Sequence, residues 1–267
     1  MTMNVFGGAR SAGKGVRGPR GFRGKDTSII DLCTWLPKTI LTNLQTYDER
    51  GCFFVQNIEK DLVRKDKKIT TWVSRSLPGL NLDADKPSSD IEELKDRYVI
   101  NFKEARYSTD ELTLFKNLPQ VYGFLCVTFR VNTDEDQVLM SDYQKRTAAE
   151  NGYCEIRVAA NEIVIHAHTV TEIIQHSCKS WTTLFIEYNT DDEDTHYTYD
   201  VNGITGSFIA PVRDETWEGF ALGSRWDGTY FLNGQIASLE MYWTMGTSAT
   251  FPEPVKRAVI KNQNISV

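Results

Sequence analysis

The segment WTTLFIEYNTDDEDTHYTYDVNGITGSFI, residues 181–209, contains three strand patterns in succession. Apolar and aromatic runs occur at Thr182–Tyr188, Tyr197–Val201 and Ile204–Ile209, each bounded by turn-forming residues. Asn202-Gly203 separates the second run from the third and is the pair of residues that most favours a two-residue hairpin turn. The segment therefore predicts antiparallel strands joined by short turns.

Nine further segments show the same character, and one segment does not. Asn233-Gly234 is predicted to form a second two-residue turn. From about Cys52 onward, only Ser108–Lys116 has helical character, with Ser108 or Thr109 as its cap. Twelve short strands with so little helix predict an all-β fold, a two-sheet antiparallel jelly-roll sandwich. The nine further predicted strands are Gly51–Gln56, Ile69–Ser74, Arg97–Phe102, Gly123–Val131, Gln137–Tyr143, Tyr153–Ala159, Glu162–His168, Gly219–Gly223 and Gln235–Trp243.

The hairpin from Trp181 to Gly203 resembles a hairpin of laminin-G-like domains, which belong to the concanavalin-A-like lectin and glucanase superfamily. The resemblance covers roughly residues 50–245 and implies a jelly roll in which Phe185, Tyr199 and Leu239 are core residues. Its motifs are packing motifs, so it implies a fold and says little about function. The other resembling segments are Phe124–Val131 followed by Gln137–Ser141, Phe220–Gly223 followed by Phe231–Tyr242, and Trp72–Ser76.

Near the N-terminal end, glycine falls at every third position in GVRGPRGFRGKD, residues 15–26. Gly15, Gly18, Gly21 and Gly24 are in register, and the first three triplets all end in arginine. Only glycine fits the crowded axis of a collagen triple helix, so the run predicts a short collagen-like stem and a homotrimer. The alternative is a flexible basic tail that binds phosphates or acidic surfaces by charge.

Charge separates this stem from the rest of the chain. Residues 10–25 carry six positive charges and no acid, which leaves about −12 on the remainder because the formal net charge is −6. An acidic body argues against a nucleic-acid-binding domain. After the stem, Pro37 and the spacing of Ile40, Leu41 and Leu44 predict a short helix that either registers a trimer or packs on the next domain.

The chain is therefore divided into five predicted parts. They are a flexible tail at 1–14, the stem at 15–26, a helical junction at 27–48, a laminin-G-like domain at 49–246 and a C-terminal tail at 247–267.

Composition limits where the protein is expected to act. No stretch approaches the ~20 apolar residues that cross a bilayer, so no membrane span is expected. The first residues lack the apolar core of a signal peptide, so either a signal has been removed or the protein assembles in the cytosol. Five cysteines without a CxxC pattern argue against a zinc site. Cys126 is expected to be a buried thiol, and Cys33 is a candidate for an interchain bridge.

Two kinds of binding site are candidates. Trp217 and Trp226 lie near turns, where they are either stacking platforms for sugar rings or plugs for the ends of the sandwich. Asp191, Asp192 and Asp194 lie in an acidic segment that is either a solvated loop or a weak Ca²⁺ site. No other cofactor is expected.

The remaining candidates for chemistry are few. The cluster Asp134-Glu135-Asp136 has the same ambiguity as the first acidic segment. His166 and His168 alternate and are expected to share one face of a strand, but two histidines do not make a metal site.

Together these features predict a non-enzymatic protein. The alternating carboxylates of the superfamily's glycanases are absent, and so are a serine nucleophile elbow and a phosphate-binding glycine loop. The first hypothesis is a trimeric fibre or stalk protein on a virion surface, whose heads bind a cell-surface glycan or protein receptor. The second is an extracellular matrix or interaction protein, and a glycan-cleaving enzyme is a remote third.

Overall fold

The computed structural model describes residues 52–56, 62–73, 81–87, 91–94, 97–109, 114–115, 121–142, 154–212 and 219–245, and within these ranges all regular structure is β-strand. The strands are β1 (Cys52–Gln56), β2 (Leu62–Lys65), β3 (Lys68–Val73), β4 (Asn81–Lys86), β5 (Ile91–Leu94), β6 (Arg97–Lys103), β7 (Arg106–Thr109), β8 (Val121–Val131), β9 (Gln137–Asp142), β10 (Cys154–Val158), β11 (Glu162–Ala167), β12 (Val170–Gln175), β13 (Thr182–Thr190), β14 (Asp194–Val201), β15 (Ile204–Pro211), β16 (Phe220–Leu222) and β17 (Asn233–Met245).

These strands form two antiparallel sheets. Sheet A has eight strands in the order β15-β14-β13-β8-β17-β6-β5, with β1 also paired to β17. Sheet B has nine strands in the order β12-β11-β10-β9-β16-β7-β4-β3-β2. The many crossings between the two sheets are those of a jelly-roll sandwich, so the predicted fold class is confirmed.

The core lies between the sheets because side chains alternate along each strand. In sheet A, Leu125, Val127 and Phe129 of β8 point inward and are completely buried. In sheet B, Ile163 and Ile165 of β11 do the same from the other side. Burying a side chain of this size stabilises the fold by roughly 1.5–3 kcal/mol, so the inter-sheet layer is the main source of stability.

Two aromatic groups pack in or against the core, and the first of them joins the two sheets. Trp72 and Tyr107 of sheet B contact Phe102 of sheet A, with ring centroids 6.1 and 5.7 Å from that of Phe102. Elsewhere, Tyr197 of β14 stacks on Phe208 of the neighbouring strand β15, with ring centroids 4.6 Å apart. Tyr197 also packs edge-on against Phe115. Edge-to-face and stacked pairs add to the hydrophobic gain from their burial.

All twelve predicted strands are present, and five more occur that the sequence did not reveal. The additional strands β2, β4, β5, β7 and β12 each bury only one or two side chains or none. Strands β2, β5 and β12 lie at sheet edges, where a polar sequence is favoured because one side of the ladder faces solvent. Their polar composition hides the pattern by which strands are recognised.

Three local predictions were wrong. Asn233-Gly234 is not a turn but the start of β17, paired with β6 and β8. Ser108 and Thr109 do not cap a helix, because β7 is held between β4 and β16 in sheet B. Phe185 is buried, but on the outer face of sheet A, where it stacks on Phe124 at 5.4 Å.

Other predictions for single residues agree with the structure. Leu239 is a core residue, and Tyr199 is half-buried against the core. Asn202 and Gly203 have φ of 50° and 93° and form the predicted hairpin turn between β14 and β15. Cys126 is a fully buried cysteine outside any disulfide, and burial raises the pKa of its thiol well above the usual value.

The predicted stem, its junction, Cys33 and the two tails lie outside the described residues. In the described ranges, no helix combines the length and apolar character needed to span a bilayer.

Substitution of Gly234 tests whether glycine is required here by the close approach of the paired strand and not by a turn. A Cβ at Gly234 would lie 2.3 Å from the carbonyl oxygen of Arg130, which belongs to the paired strand β8. We expect Gly234→Ala to lower the free energy of unfolding by about 2 kcal/mol, since the backbone must shift. Urea denaturation measures the change. Ser207→Ala is the control, because Ser207 is an exposed residue of β15 and its truncation is expected to change stability little. Equal losses in the two variants would contradict the packing explanation.

Candidate functional site

The outer face of sheet B carries a charged cluster on its central strands. Along β10, Cys154, Ile156 and Val158 point into the core, so Glu155 and Arg157 point to the opposite face. On neighbouring strands, Ser141 of β9 and His166 of β11 are paired with Glu155. The alternation of side chains along β10 thus places the carboxyl group of Glu155 and the guanidinium group of Arg157 on the same outer face of sheet B.

Glu155 is 0 % exposed although it lies outside the core. Its Oε2 accepts a hydrogen bond from Nε of Arg225 at 3.0 Å. Its Oε1 lies 3.7 Å from Nε of Arg157 and accepts no hydrogen bond. A buried carboxylate is costly unless it is paired, so this site depends on Arg225.

Arg225 belongs to the segment 223–232, which links β16 to β17 and which we call the cover loop. The loop is fixed to β9 by two backbone hydrogen bonds, from Gly223 N to Leu139 O and from Val138 N to Tyr230 O, both of 2.8 Å. Inside it, Arg225 N donates to Thr229 O at 2.9 Å and closes a turn. The loop is therefore held over the outer face of sheet B.

A bulge in β9 allows this attachment. Ile156 pairs with Met140 and Arg157 pairs with Val138, so Leu139 is an extra residue in β9. The bulge leaves Val138 N and Leu139 O to bond with the cover loop instead of continuing the ladder. Bulges commonly occur where a strand must aim a side chain or a backbone group at a functional site.

Tyr230 is the exposed aromatic residue of the cluster. It is 47 % exposed and has φ of 50°, a left-handed conformation that a tyrosine rarely adopts. The guanidinium carbons of Arg157 and Arg225 lie 5.2 and 5.4 Å from the centroid of its ring. Backbone strain of this kind costs about 1–3 kcal/mol and is concentrated at functional sites.

The charges of the cluster are closely balanced. Asp136 forms a two-point ion pair with Arg157, in which Nε donates to Oδ1 at 3.1 Å and Nη2 contacts Oδ2. Burial raises the pKa of Glu155 to about 7, although Arg225 lowers it, and Asp227 raises it further. Burial and the two arginines lower the pKa of His166, which favours a neutral imidazole at neutral pH. Its Nδ1 lies 3.0 Å from the hydroxyl of Thr171.

The cluster can bind a ligand through three kinds of contact. It offers an aromatic face, planar arginine donors and carboxylate acceptors within one patch. Hydroxyl groups both donate and accept hydrogen bonds, so a polyhydroxylated ring matches such a mixture.

The two tryptophans that were predicted to stack on sugar rings differ in where they lie. Trp226 lies in the turn of the cover loop directly after Arg225, where it is half-buried. Trp217 lies outside the described residues. The sequence analysis therefore named one residue of the cover loop, Trp226, but not Tyr230, Arg225 or Arg157, and sugar binding by Trp226 stays a prediction. Two features of the sequence could have indicated these residues. One is the polar segment SRWDGTY, residues 224–230, and the other is the alternation of Glu155 and Arg157 along β10.

The acidic segment between β13 and β14 is a structured turn. Oδ1 of Asp191 accepts hydrogen bonds from the backbone N–H groups of Glu193 and Asp194, at 2.9 and 2.7 Å. These bonds lower the pKa of Asp191, and His196 lowers it further through a contact of 3.2 Å. Asp192 is exposed and Asp194 begins β14. The carboxylate of Asp191 thus has a structural role, and calcium binding there stays a prediction.

Other predicted clusters are also explained by local contacts. Asp134 pairs with Lys179 at 2.8 Å, while Asp136 pairs with Arg157. His168 does not share a face with His166, because β11 ends at Ala167 and His168 turns with φ of 57°. Among the described residues, no group of three or more His, Cys, Asp or Glu is placed to hold a metal ion.

Comparisons with solved structures find low sequence identity throughout. A mutant of a GH54 α-L-arabinofuranosidase, soaked with 4-nitrophenyl α-L-arabinofuranoside, matches with a TM-score of 0.52 and 11 % identity over 73 % of this chain and 50 % of that chain. Botulinum neurotoxin type C, described as entering cells through two ganglioside molecules, matches with a TM-score of 0.48 and 11 % identity, over 84 % and 53 %. The CBM40 module of a Ruminococcus gnavus sialidase, bound to α2,3 sialyllactose, matches with a TM-score of 0.38 and 14 % identity, over 49 % and 80 %.

These matches concern the fold alone, and this chain spans about half the length of the arabinofuranosidase that it matches. No protein-family model matches the chain, and no curated protein matches it in sequence.

The buried carboxyl of Glu155 predicts a distinct pH dependence. Because the folded state raises its pKa from 4.5 to about 7, folding favours the protonated form. The stabilisation is complete below about pH 4.5 and is lost as the pH rises through about 7, a loss on the order of 3 kcal/mol. We therefore expect the stability of the wild type relative to Glu155→Gln to fall across this window, as measured by urea denaturation at several pH values. A pH-independent difference would contradict the buried carboxyl, and the exposed Glu193→Gln variant serves as the control.

Proposed function

We propose that this protein binds glycans, without cleaving them, through Tyr230 and the arginines beside it on the outer face of sheet B. The observation that carries the proposal is an exposed tyrosine held in a strained backbone conformation beside two guanidinium groups. Core packing does not require such an arrangement, because the ring lies outside the inter-sheet layer.

The chemistry of the patch suits a sugar. The apolar C–H face of a pyranose stacks on an aromatic ring, while its hydroxyl groups need planar donors and acceptors at the edge. Arg157 and Arg225 supply donors, and Asp136 and Asp227 supply acceptors. The cover loop is fixed by hydrogen bonds to β9, so little conformational entropy is lost when a ligand binds.

The carboxylates support binding over hydrolysis. Glycoside hydrolysis requires two carboxyl groups that face the scissile bond from either side. Here Glu155 is buried under Arg225, and Asp136 is paired with Arg157. Asp227 accepts hydrogen bonds from the backbone and hydroxyl of Thr229. The fold shared with an arabinofuranosidase is a scaffold for either role, so the absence of enzymatic activity stays part of the proposal.

The sequence of residues 15–26 extends the proposal to assembly. A collagen-like stem would hold three heads together, and three weak sites reinforce one another through effective concentration. We propose a trimeric attachment protein at a particle surface, with an extracellular matrix or interaction protein as the alternative. The likeness to laminin-G-like domains belongs to the same proposal.

Substitution of Tyr230 tests the binding site. We expect Tyr230→Ala to weaken glycan binding about tenfold, because the stacking face is lost. A glycan array identifies the ligand, and calorimetry with the best glycan measures the change. Ile209→Ala, which removes an exposed apolar side chain from sheet A, is expected to leave binding unchanged. Equal affinity of wild type and Tyr230→Ala would contradict this location, and turnover of a glycan would restore the enzyme hypothesis.

Light scattering tests the assembly. The intact chain is expected to have about three times the monomer mass of 30.4 kDa. Replacing Gly18 and Gly21 by valine is expected to shift the mass towards the monomer, since no larger side chain fits the triple-helix axis. A monomeric wild type would remove the fibre hypothesis while leaving the glycan site intact.

A further inference from the structure

We infer that the Tyr230 site selects uncharged sugar rings and discriminates against sugars that carry a carboxylate, because protein carboxylates already occupy its arginines. The inference rests on the proposed function and names the ligand class of that same site.

The charged groups that surround the site come from four elements. Arg157 lies on β10 beside Glu155, and Asp136 precedes β9. Arg225 and Asp227 come from the cover loop. His166 of β11 is the remaining titratable group, and its surroundings favour the neutral form. With Glu155 protonated the two arginines are balanced by two aspartates, and with Glu155 ionised the site has one excess negative charge.

Each arginine has an acidic partner with short contacts. Arg157 is held in a two-point pair by Asp136, which takes its Nε and Nη2 donors. Arg225 donates to the buried Glu155 at 3.0 Å. A ligand carboxylate would have to draw Arg225 away and leave a buried charge uncompensated, which is strongly unfavourable.

The same self-pairing continues along the outer face of sheet B. Arg106 of β7 pairs with Asp85 at 3.0 Å, and Lys86 pairs with Glu104 at 2.6 Å. The cover loop reaches this region, since a Cβ at Gly228 would lie 3.5 Å from Nη1 of Arg106. Among the described residues, the cations next to the cover loop on this face, Arg106 and Lys86, are therefore also matched by acids.

A neutral ring avoids this conflict. Its hydroxyl groups can donate to Asp136 or Asp227 and accept from the outer N–H groups of the arginines while the ion pairs stay in place. Recognition is then carried by stacking on Tyr230 and by hydrogen bonds, and it depends little on salt because no net charge is neutralised.

A matched pair of ligands tests the inference. Oligosaccharides with a terminal hexose and with the corresponding uronic acid differ only in a CH₂OH group and a carboxylate. Calorimetry on the intact protein at about pH 8, where Glu155 is mainly ionised, is expected to show at least tenfold tighter binding of the hexose form. Lowering the pH to about 5.5 is expected to reduce the ratio of hexose affinity to uronate affinity, since Glu155 then becomes neutral.

Variants of Glu155 and Asp227 test whether these residues cause the preference for the hexose form. Glu155→Gln is expected to reduce the hexose-to-uronate ratio at about pH 8, because it removes one negative charge and loosens the hold on Arg225. Asp227→Asn, at an exposed position, tests the same charge balance without disturbing a buried group. Glu193→Gln on sheet A is the control and is expected to leave the ratio unchanged.

The outcomes separate this inference from the proposed function. Tighter binding of the uronate form at about pH 8 overturns the inference and leaves a glycan-binding protein. Equal binding of both forms also overturns it. If neither form nor any other glycan binds, the proposed function fails and the inference fails with it.

Discussion

The alternation of side chains along a strand couples the interior of this protein to its surface. Packing of Ile156 and Val158 against the opposing sheet fixes the orientation of β10, and the same orientation turns Glu155 and Arg157 outward. The cover loop can bury Glu155 only because the carboxylate points at it from a rigid sheet. The hydrophobic contact between the sheets thus positions Glu155 and Arg157, although neither of them lies in the core.

The strands that could be predicted from sequence are those with a buried inner face. In β8 and β13 nearly every position is buried, because both strands lie in the middle of sheet A. Strands such as β5 and β12 carry few buried residues, and their partners decide their conformation. Asn233-Gly234 shows a further limit of local patterns. A pair typical of turns became part of a strand because the neighbouring backbone of β8 approaches too closely for any Cβ.

The site was less accessible to sequence reasoning than the fold. Arg157 and Arg225 are 68 positions apart in the chain, and only the arrangement of β9 between β16 and β10 brings them to the same tyrosine. Trp226 lies in the cover loop, yet the aromatic residue that is exposed there is Tyr230, four positions later. Neither the positive φ of Tyr230 nor the burial of Glu155 has a signature in the order of residues, since both follow from how the loop attaches to a bulged strand.

The extra residue in β9 has a consequence for how such a protein can change. Because Leu139 interrupts the ladder, the loop is attached to a local irregularity and the rest of the sandwich does not depend on it. Residues 224–231 can therefore be exchanged for others while both sheets keep their pairing, provided that position 225 still supplies a cation for Glu155. Different ligands would then be bound by replacing this one loop while the two sheets stay unchanged. Deletion of Leu139 would remove the attachment point of every such replacement loop.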